Sequence, residues 1–311
     1  MTSQSSQTKP LVWLITGCST GFGKSLALLL LKAGHHVIAT SRTPSNSPSL
    51  VKKVEELGGI WLPLDLTSSK ENMQKIVEEG TKKWGRIDVL VNNAGIGMLG
   101  ALEDFGEEEA KLVMETNFFG PIKLIQTVLP QMRTRRSGII VNISSGAGVD
   151  PSPAMGMYGA SKWALEGASQ GFAKELAAFG IRVLIVQPGA FTTNMMNAVT
   201  LIERDPRVAY EGTVIEKTVD VFRRKGEFRA PNDVEKGCQG IFEVVTGTGR
   251  GEGKESHLRL VLSADIGQRT VEQTRRNMDA LEAFRGIWEN TGHDGGVAKS
   301  MAEVEAEAEN A

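Results

Sequence analysis

Short apolar, β-branched runs alternate with longer helical patterns along most of this 311-residue chain, and that alternation leaves few folds open. Runs at Leu11–Thr16, His36–Ser41, Ile60–Leu64, Ile87–Val91, Gly138–Ser144, Ile181–Gln187 and Leu258–Leu262 read as strands. Each is nearly continuous in hydrophobicity, as strands buried on both faces are. Between them lie helical patterns near Gly21–Ala33, Ser49–Leu57, Ser69–Trp84, Glu107–Arg135, Met157–Phe179 and Asp233–Thr246. Alternation of this kind predicts an α/β protein with a doubly wound parallel sheet and helices on both faces.

No internal repeat or linker interrupts the pattern, so a single domain over residues 10–292 is expected. Residues 1–9 are expected to form a disordered N-terminus and residues 293–311, rich in Ala, Glu and Gly, a flexible C-terminal tail. The charged, weakly periodic stretch 194–231 is expected to form a lid over a substrate; a surface excursion is the plainer alternative. Ser263–Asn290 spaces Ile266, Val271, Met278, Leu281, Phe284 and Ile287 as an amphipathic helix.

Composition narrows the function. Lys plus Arg total 35 against 37 for Asp plus Glu, which gives no sign of a nucleic-acid surface. Cys18 and Cys238 are too few for a disulfide framework and lack metal-ligand spacing, so no metal is expected. The early apolar run Leu26–Leu31 is too short to span a bilayer. The polar, arginine-free first ten residues resemble neither a signal nor a transit peptide, and a cytoplasmic protein is expected.

The first strand runs into Thr16-Gly17-Cys18-Ser19-Thr20-Gly21-Phe22-Gly23, and a helix follows. Glycines there let the chain turn tightly and bring backbone N–H groups to a pyrophosphate at a helix N-terminus. That makes Gly17, Ser19, Thr20, Gly21, Phe22 and Gly23 candidates for cofactor binding in a Rossmann-type sheet, against a simple strand-to-helix connection. A binder of NAD usually places a carboxylate at the end of the second strand. Here no acidic residue precedes Glu55, and that strand ends in Ser41-Arg42. An arginine there suits the 2′-phosphate of NADP(H), unless Arg42 is simply a surface residue.

Tyr158 and Lys162 stand four apart, which stacks them on one helix face. An ammonium beside a phenol lowers the tyrosine pKa and fits it for proton transfer at neutral pH. Taken alone, the pair also fits a solvated helix face.

With Thr16-Gly17-x-x-x-Gly21-x-Gly23, Asn92-Asn93-Ala94-Gly95, Asn117, Ser145, Tyr158-x-x-x-Lys162 and Pro188-Gly189 in this order, the chain resembles the short-chain dehydrogenase/reductases. The resemblance is to their short single-domain branch. Its specific motifs cover residues 10–195, and the element pattern extends it loosely to about residue 290. It implies a catalytic set of Asn117, Ser145, Tyr158 and Lys162. In that set Tyr158 is the general acid in carbonyl reduction, Lys162 lowers its pKa and holds the nicotinamide ribose, and Ser145 bonds the substrate oxygen. Ser144 is the neighbouring alternative. Asn117 would hold a water in the proton relay. The resemblance further implies cofactor contacts from Asp65 and Leu66 to adenine and from Asn93, Ala94 and Gly95 beside the central strand. It adds Pro188, Gly189, Phe191 and Thr193 at the carboxamide, with Thr192 as alternative to Thr193. Asp65 also fits a helix N-cap.

The function so implied is an NADP(H)-dependent oxidoreductase that interconverts a ketone or aldehyde and an alcohol, working more as a reductase. Met98, Met155, Met157, Met195 and Met196 point to a small apolar substrate, steroid-, retinoid-, aromatic- or polyketide-like, or equally to core filling. Ser41-Arg42-Thr43-Pro44 and the long C-terminal portion are similar to the hydroxysteroid/retinol dehydrogenase-like subgroup. A non-catalytic NADP-binding sensor, or an epimerase or dehydratase on the same fold, are the alternatives; the intact Ser145, Tyr158 and Lys162 argue against the first. The resemblance also implies a homo-oligomer, dimer or tetramer, paired through the tyrosine helix, where Gly167, Ala168, Gly171 and Ala177 are small.

Overall fold

A computed structural model describes residues 9–193, 195–202, 207–224 and 230–291, with Glu303. The expected disordered N-terminus, apart from Lys9, and the expected tail, apart from Glu303, lie outside the described residues. So do Asn194, 203–206 and 225–229 of the expected lid. Contacts group residues 1–270 into one compact unit and residues 271–311 into another.

The first unit carries the alternation. In chain order it runs β1 (Val12–Ile15), α1 (Gly21–Lys32), β2 (His36–Ser41), α2 (Pro48–Glu56), β3 (Ile60–Pro63), α3 (Lys70–Lys82), β4 (Val89–Asn92), β5 (Met98–Leu99) and α4 (Glu107–Met114). There follow α5 (Gly120–Arg135), β6 (Gly138–Ile143), α6 (Gly156–Ala177), β7 (Ile181–Gln187), α7 (Met195–Ala198), β8 (Thr200–Leu201), α8 (Val214–Arg223), α9 (Val234–Thr246) and β9 (Arg259–Val261). Helix α10 (Ala264–Ala283) begins in this unit, and a short α11 (Arg285–Trp288) belongs to the second. The second unit exposes Val271, Met278, Leu281 and Phe284.

Seven parallel strands form the central sheet in the order β3-β2-β1-β4-β6-β7-β9. This is the doubly wound arrangement expected. Alternate residues feed two cores. Trp13, Ile15, Val37, Ala39 and Val91 pack against Leu26 and Leu30 of α1 and Ile241 and Val245 of α9. Val12, Leu14, Ile38, Leu90 and Ile140 pack on the other face against Met73 of α3, Leu124 and Val128 of α5 and Leu176 of α6. The strand order reverses between β1 and β4, so the crevice beyond their C-terminal ends is where such a sheet binds ligands.

Three features depart from the sequence reading. Strand β4 begins at Val89, because the Ile87 N–H donates to Gln131 Oε1 at 2.9 Å and so leaves the ladder. The helix expected over Glu107–Arg135 is interrupted by a π turn at Glu115–Phe119. Gly120 ends that turn where a Cβ would come within 2.6 Å of the Leu66 carbonyl oxygen, so the close approach requires glycine. Finally, the weakly periodic stretch expected as a lid contains α7, β8, a turn at Arg207–Tyr210 and α8, elements its sequence did not announce, and β8 pairs with β5 as a second small sheet.

Candidate active site

Most of the sequence-predicted residues stand at the C-terminal ends of the strands. The Gly-rich turn follows β1, Ser41 and Arg42 end β2, and Asp65 and Leu66 follow β3. Asn93, Ala94 and Gly95 follow β4, Ser145 follows β6, and Pro188 and Gly189 follow β7.

The turn after β1 is built for close approach. Gly17 has φ +72°, and a Cβ on Gly23 would lie 2.4 Å from the Gly17 carbonyl oxygen. Asn93 braces this turn from β4: its Nδ2 donates to the Thr16 carbonyl at 2.7 Å and the Gly17 carbonyl at 3.2 Å. The Asn93 and Ala94 N–H groups both donate to Thr16 Oγ1 at 2.9 Å. Helix α1 starts with no side-chain cap at Thr20 and no acidic residue in its first turn. Its leading N–H groups therefore meet no carboxylate from the helix's own first turn, and the helix dipole adds positive potential there. A dinucleotide pyrophosphate fits this donor set.

The remaining cofactor candidates divide by role. Ser41 is buried, and its Oγ accepts from Trp61 Nε1 at 3.0 Å, whereas Arg42 is exposed at the strand end. Asp65 closes its own turn, accepting from Thr67 N and Thr67 Oγ1 at 2.9 Å. The N-cap of α3 is instead Ser69, which accepts from Asn72 N. Leu66 is buried under the π turn. Phe22 and Phe191 stack edge-on at 4.8 Å against Gly237 of α9, so their rings serve packing. Thr193 lies against Gly21, where a Cβ would be 3.2 Å from the threonine Cβ. Thr192 turns away, its N–H donating to Asn232 O at 3.0 Å, which favours Thr193 as the crevice residue.

Tyr158 lies in the first turns of α6, 5% exposed, and Ser145 is the side chain that acts on its phenol, opposing the effect of burial. Ser144 is engaged elsewhere, donating from Oγ to Glu166 Oε1 at 2.7 Å. Of the two serines, Ser145 rather than Ser144 is the one that acts on the phenol. Lys162 is buried one helical turn on, and its Nζ donates to the Ile143 carbonyl at 2.9 Å and lies 5.8 Å from the Tyr158 ring centroid. Asn117 is brought inward by the π turn. Its amide grips Ile96, accepting from N and donating to O, both at 2.9 Å, and donates to Ser161 Oγ at 3.0 Å. Above Tyr158 closes an apolar cluster of Leu99, Ala147 and Val199, with Met155, Leu201 and Phe222 packed on it. Ala154, just before α6, holds a left-handed φ of 65°.

One expectation needs correction. The Tyr158-x-x-x-Lys162 spacing suggested a phenol pKa lowered by the ammonium. In the structure burial dominates and pushes Tyr158 up to about 12, with Ser145 opposing. Burial likewise pushes Lys162 down to about 8, with Glu166 opposing. Sequence reasoning also passed over Glu166, Gln187 and Arg259, which meet behind Lys162. Glu166 stands four residues beyond Lys162 on the same helix face, a spacing that was legible.

Among the described residues, no three His, Cys, Asp or Glu groups could hold a metal, and no helix is long and apolar enough to cross a membrane. A glycine turn at a strand-ordered crevice, with Ser145, Tyr158 and Lys162 beside it, is the arrangement expected of a dinucleotide-dependent oxidoreductase site. The short chain dehydrogenase family model matches residues 11–203, and the chain belongs to that family. It is 44% identical over 214 residues to oxidoreductase claN of Passalora fulva, which covers 68% of this chain and 94% of that protein. It is 35% identical over 210 residues to retinol dehydrogenase 8 of Bos taurus, 66% of each. A short-chain dehydrogenase from Streptomyces avermitilis superposes with TM-score 0.80 at 34% identity, covering 91% of this chain and 99% of that one. The structure of ElxO with NADP bound superposes with TM-score 0.66 at 27% identity, covering 84% and 100%.

Proposed function

We propose that this oxidoreductase uses NADP(H) to reduce a ketone or aldehyde on a small apolar substrate, and to reoxidise the alcohol less readily. The carrying observation is the buried Tyr158 phenol one helical turn from the buried Lys162, whose ammonium lies 5.8 Å from its ring, with Ser145 at the end of β6 and the uncapped glycine turn at the end of β1.

The dinucleotide supplies the hydride. The chain does the rest. Thr16 to Gly23 offer backbone donors to its phosphates, and Arg42 offers a guanidinium where a 2′-phosphate would lie. Ser145 Oγ donates to the substrate oxygen and stabilises the charge that develops on it. Tyr158 Oη donates the proton to that oxygen. Burial keeps the phenol protonated across the neutral range, which loads it as an acid rather than a base. Lys162 holds positive charge behind the phenol, and Asn117 fixes the backbone of the turn after β4.

The cluster of Leu99, Val199, Met155 and Phe222 over Tyr158 supports an apolar substrate. Both Val199 and Phe222 come from the lid stretch, which β5–β8 pairing and a Tyr210–Glu103 hydrogen bond tie to the body. The retinol dehydrogenase relative is consistent with such a substrate. For pairing of copies through α6, the support is that Gly167 meets nothing within 4 Å, so this face is not packed on the chain's own sheet. The test is Tyr158→Phe, followed at the nicotinamide absorbance with a panel of ketones. Turnover should vanish while NADPH titration stays near wild type. Near-normal turnover in this variant rejects the assignment.

A further inference from the structure

Behind the Ser–Tyr–Lys set lies a buried polar junction with a single carboxylate at its centre. Glu166 of α6 is 5% exposed. Its Oε1 accepts from Ser144 Oγ at 2.7 Å and Gln187 Nε2 at 2.9 Å. Its Oε2 accepts from Gln187 Nε2 at 3.0 Å and Arg259 Nε at 3.3 Å. These donors come from the ends of three neighbouring strands. Ser144 immediately precedes Ser145, Gln187 immediately precedes Pro188-Gly189, and Arg259 opens β9. Lys162, one turn before Glu166, completes the clamp by bonding the carbonyl of Ile143, the residue before Ser144.

A carboxylate has about four acceptor sites, and four donor contacts fill them. An isolated charge at this depth would cost several kcal/mol, roughly, so its retention needs a compensating gain. The strand ends so joined are the two that carry Ser145 and the loop expected at the nicotinamide. We propose that Glu166 is a positioning residue: it fixes Ser145 and the Pro188-Gly189 loop in register with α6, four residues beyond Lys162 on the same helix face. This rests on the reading of Ser145, Tyr158 and Lys162 given above.

The charged and titratable groups around Lys162 are Tyr158 and Glu166 on α6 and, behind the carboxylate, Arg259 on β9. The facing ends of β6 and β7 and the π turn contribute the neutral Ser144, Gln187 and Asn117. Glu166 favours the ammonium, so its loss lets Lys162 shed its proton at lower pH. Arg259 opposes the ammonium through the same carboxylate, so its loss acts the other way.

The experiment measures pH profiles of kcat/KM for ketone reduction by wild type, Glu166→Gln and Arg259→Met, with NADPH affinity by fluorescence and circular dichroism as controls. The alkaline limb should move down by about one pH unit in Glu166→Gln, with kcat falling more than KM rises, and move up in Arg259→Met. Limbs unmoved in both variants, or moved down together, overturn the proposal and leave Glu166 as packing alone. Should Glu166→Gln fail to fold, the direction in Arg259→Met still decides. Failure of the wider reading looks different: wild type itself would show no NADPH-dependent turnover.

Discussion

Replacing Lys162 by Met should remove a pH dependence of folding that the wild type carries. Burial lowers the Lys162 pKa from 10.5 to about 8. At about 1.36 kcal/mol per unit, keeping that ammonium charged inside the fold costs about 3 kcal/mol at neutral pH. The sign follows from proton counts. Between pH about 8 and 10.5 the unfolded chain holds this proton and the folded chain does not, so stability rises with pH across that window. Above 10.5 neither state is charged and the penalty is gone; below about 8 it is complete. The Met variant has no such rise. It does leave the Ile143 carbonyl without its donor, which costs about 1–3 kcal/mol at every pH. At pH 7 the two effects roughly cancel, so a single-pH comparison is uninformative. Urea unfolding followed by tryptophan fluorescence at four pH values from 7.5 to about 10.5 separates them. The difference, wild type minus variant, should grow by about 3 kcal/mol across the series. Burial also pushes Tyr158 and the Cys18 and Cys238 thiols upward, which lowers stability at high pH, but both proteins share those groups. Parallel curves would show that Lys162 titrates as if in water, and the argument from burial would fail.

Gly23→Ala should displace the turn after β1, because its Cβ would stand 2.4 Å from Gly17 O and 2.6 Å from Asn93 Nδ2. NADPH affinity by fluorescence titration should drop at least roughly tenfold, with a loss of about 1–3 kcal/mol in stability. Arg42→Glu should reverse the choice of dinucleotide, lowering the ratio of kcat/KM for NADPH over NADH roughly tenfold or more; an unchanged ratio would remove Arg42 from the cofactor site.

The sheet was legible because its inner strands β1, β4, β6 and β7 are nearly continuous apolar runs buried on both faces, and six strand–helix units leave one reasonable topology. The glycine turn was legible because its residue types are set by close contacts: Gly17 and Gly23 touch backbone that no side chain could clear. What escaped was set by tertiary contact. The π turn at Glu115–Phe119 lies inside a stretch whose periodicity is helical on both sides, and the Leu66 contact that demands Gly120 comes from far away in sequence. Strands β5 and β8 have two residues each, too few for alternation to register. Arg259, at the other edge of the sheet, could be linked to Glu166 only once β9 was placed beside β7.

The Tyr158–Lys162 spacing fixed proximity but not the dielectric, and the dielectric decides the chemistry. In water a phenol near 10 loses its proton slightly before an ammonium near 10.5. Burial disfavours both charged forms, so the same cause drives the two apart, to about 12 and about 8, and reverses their order. The tyrosine becomes the last of the pair to release a proton. The apolar groups that bring this about on the crevice side are Leu99, Val199, Ala147 and their neighbours, the same groups that would receive the substrate. On the function proposed above, preference for an apolar carbonyl and readiness to protonate it would have one physical origin. Opening that cluster with a polar residue at Leu99 would weaken both together, by admitting water to the phenol and by removing the apolar surface a substrate would meet.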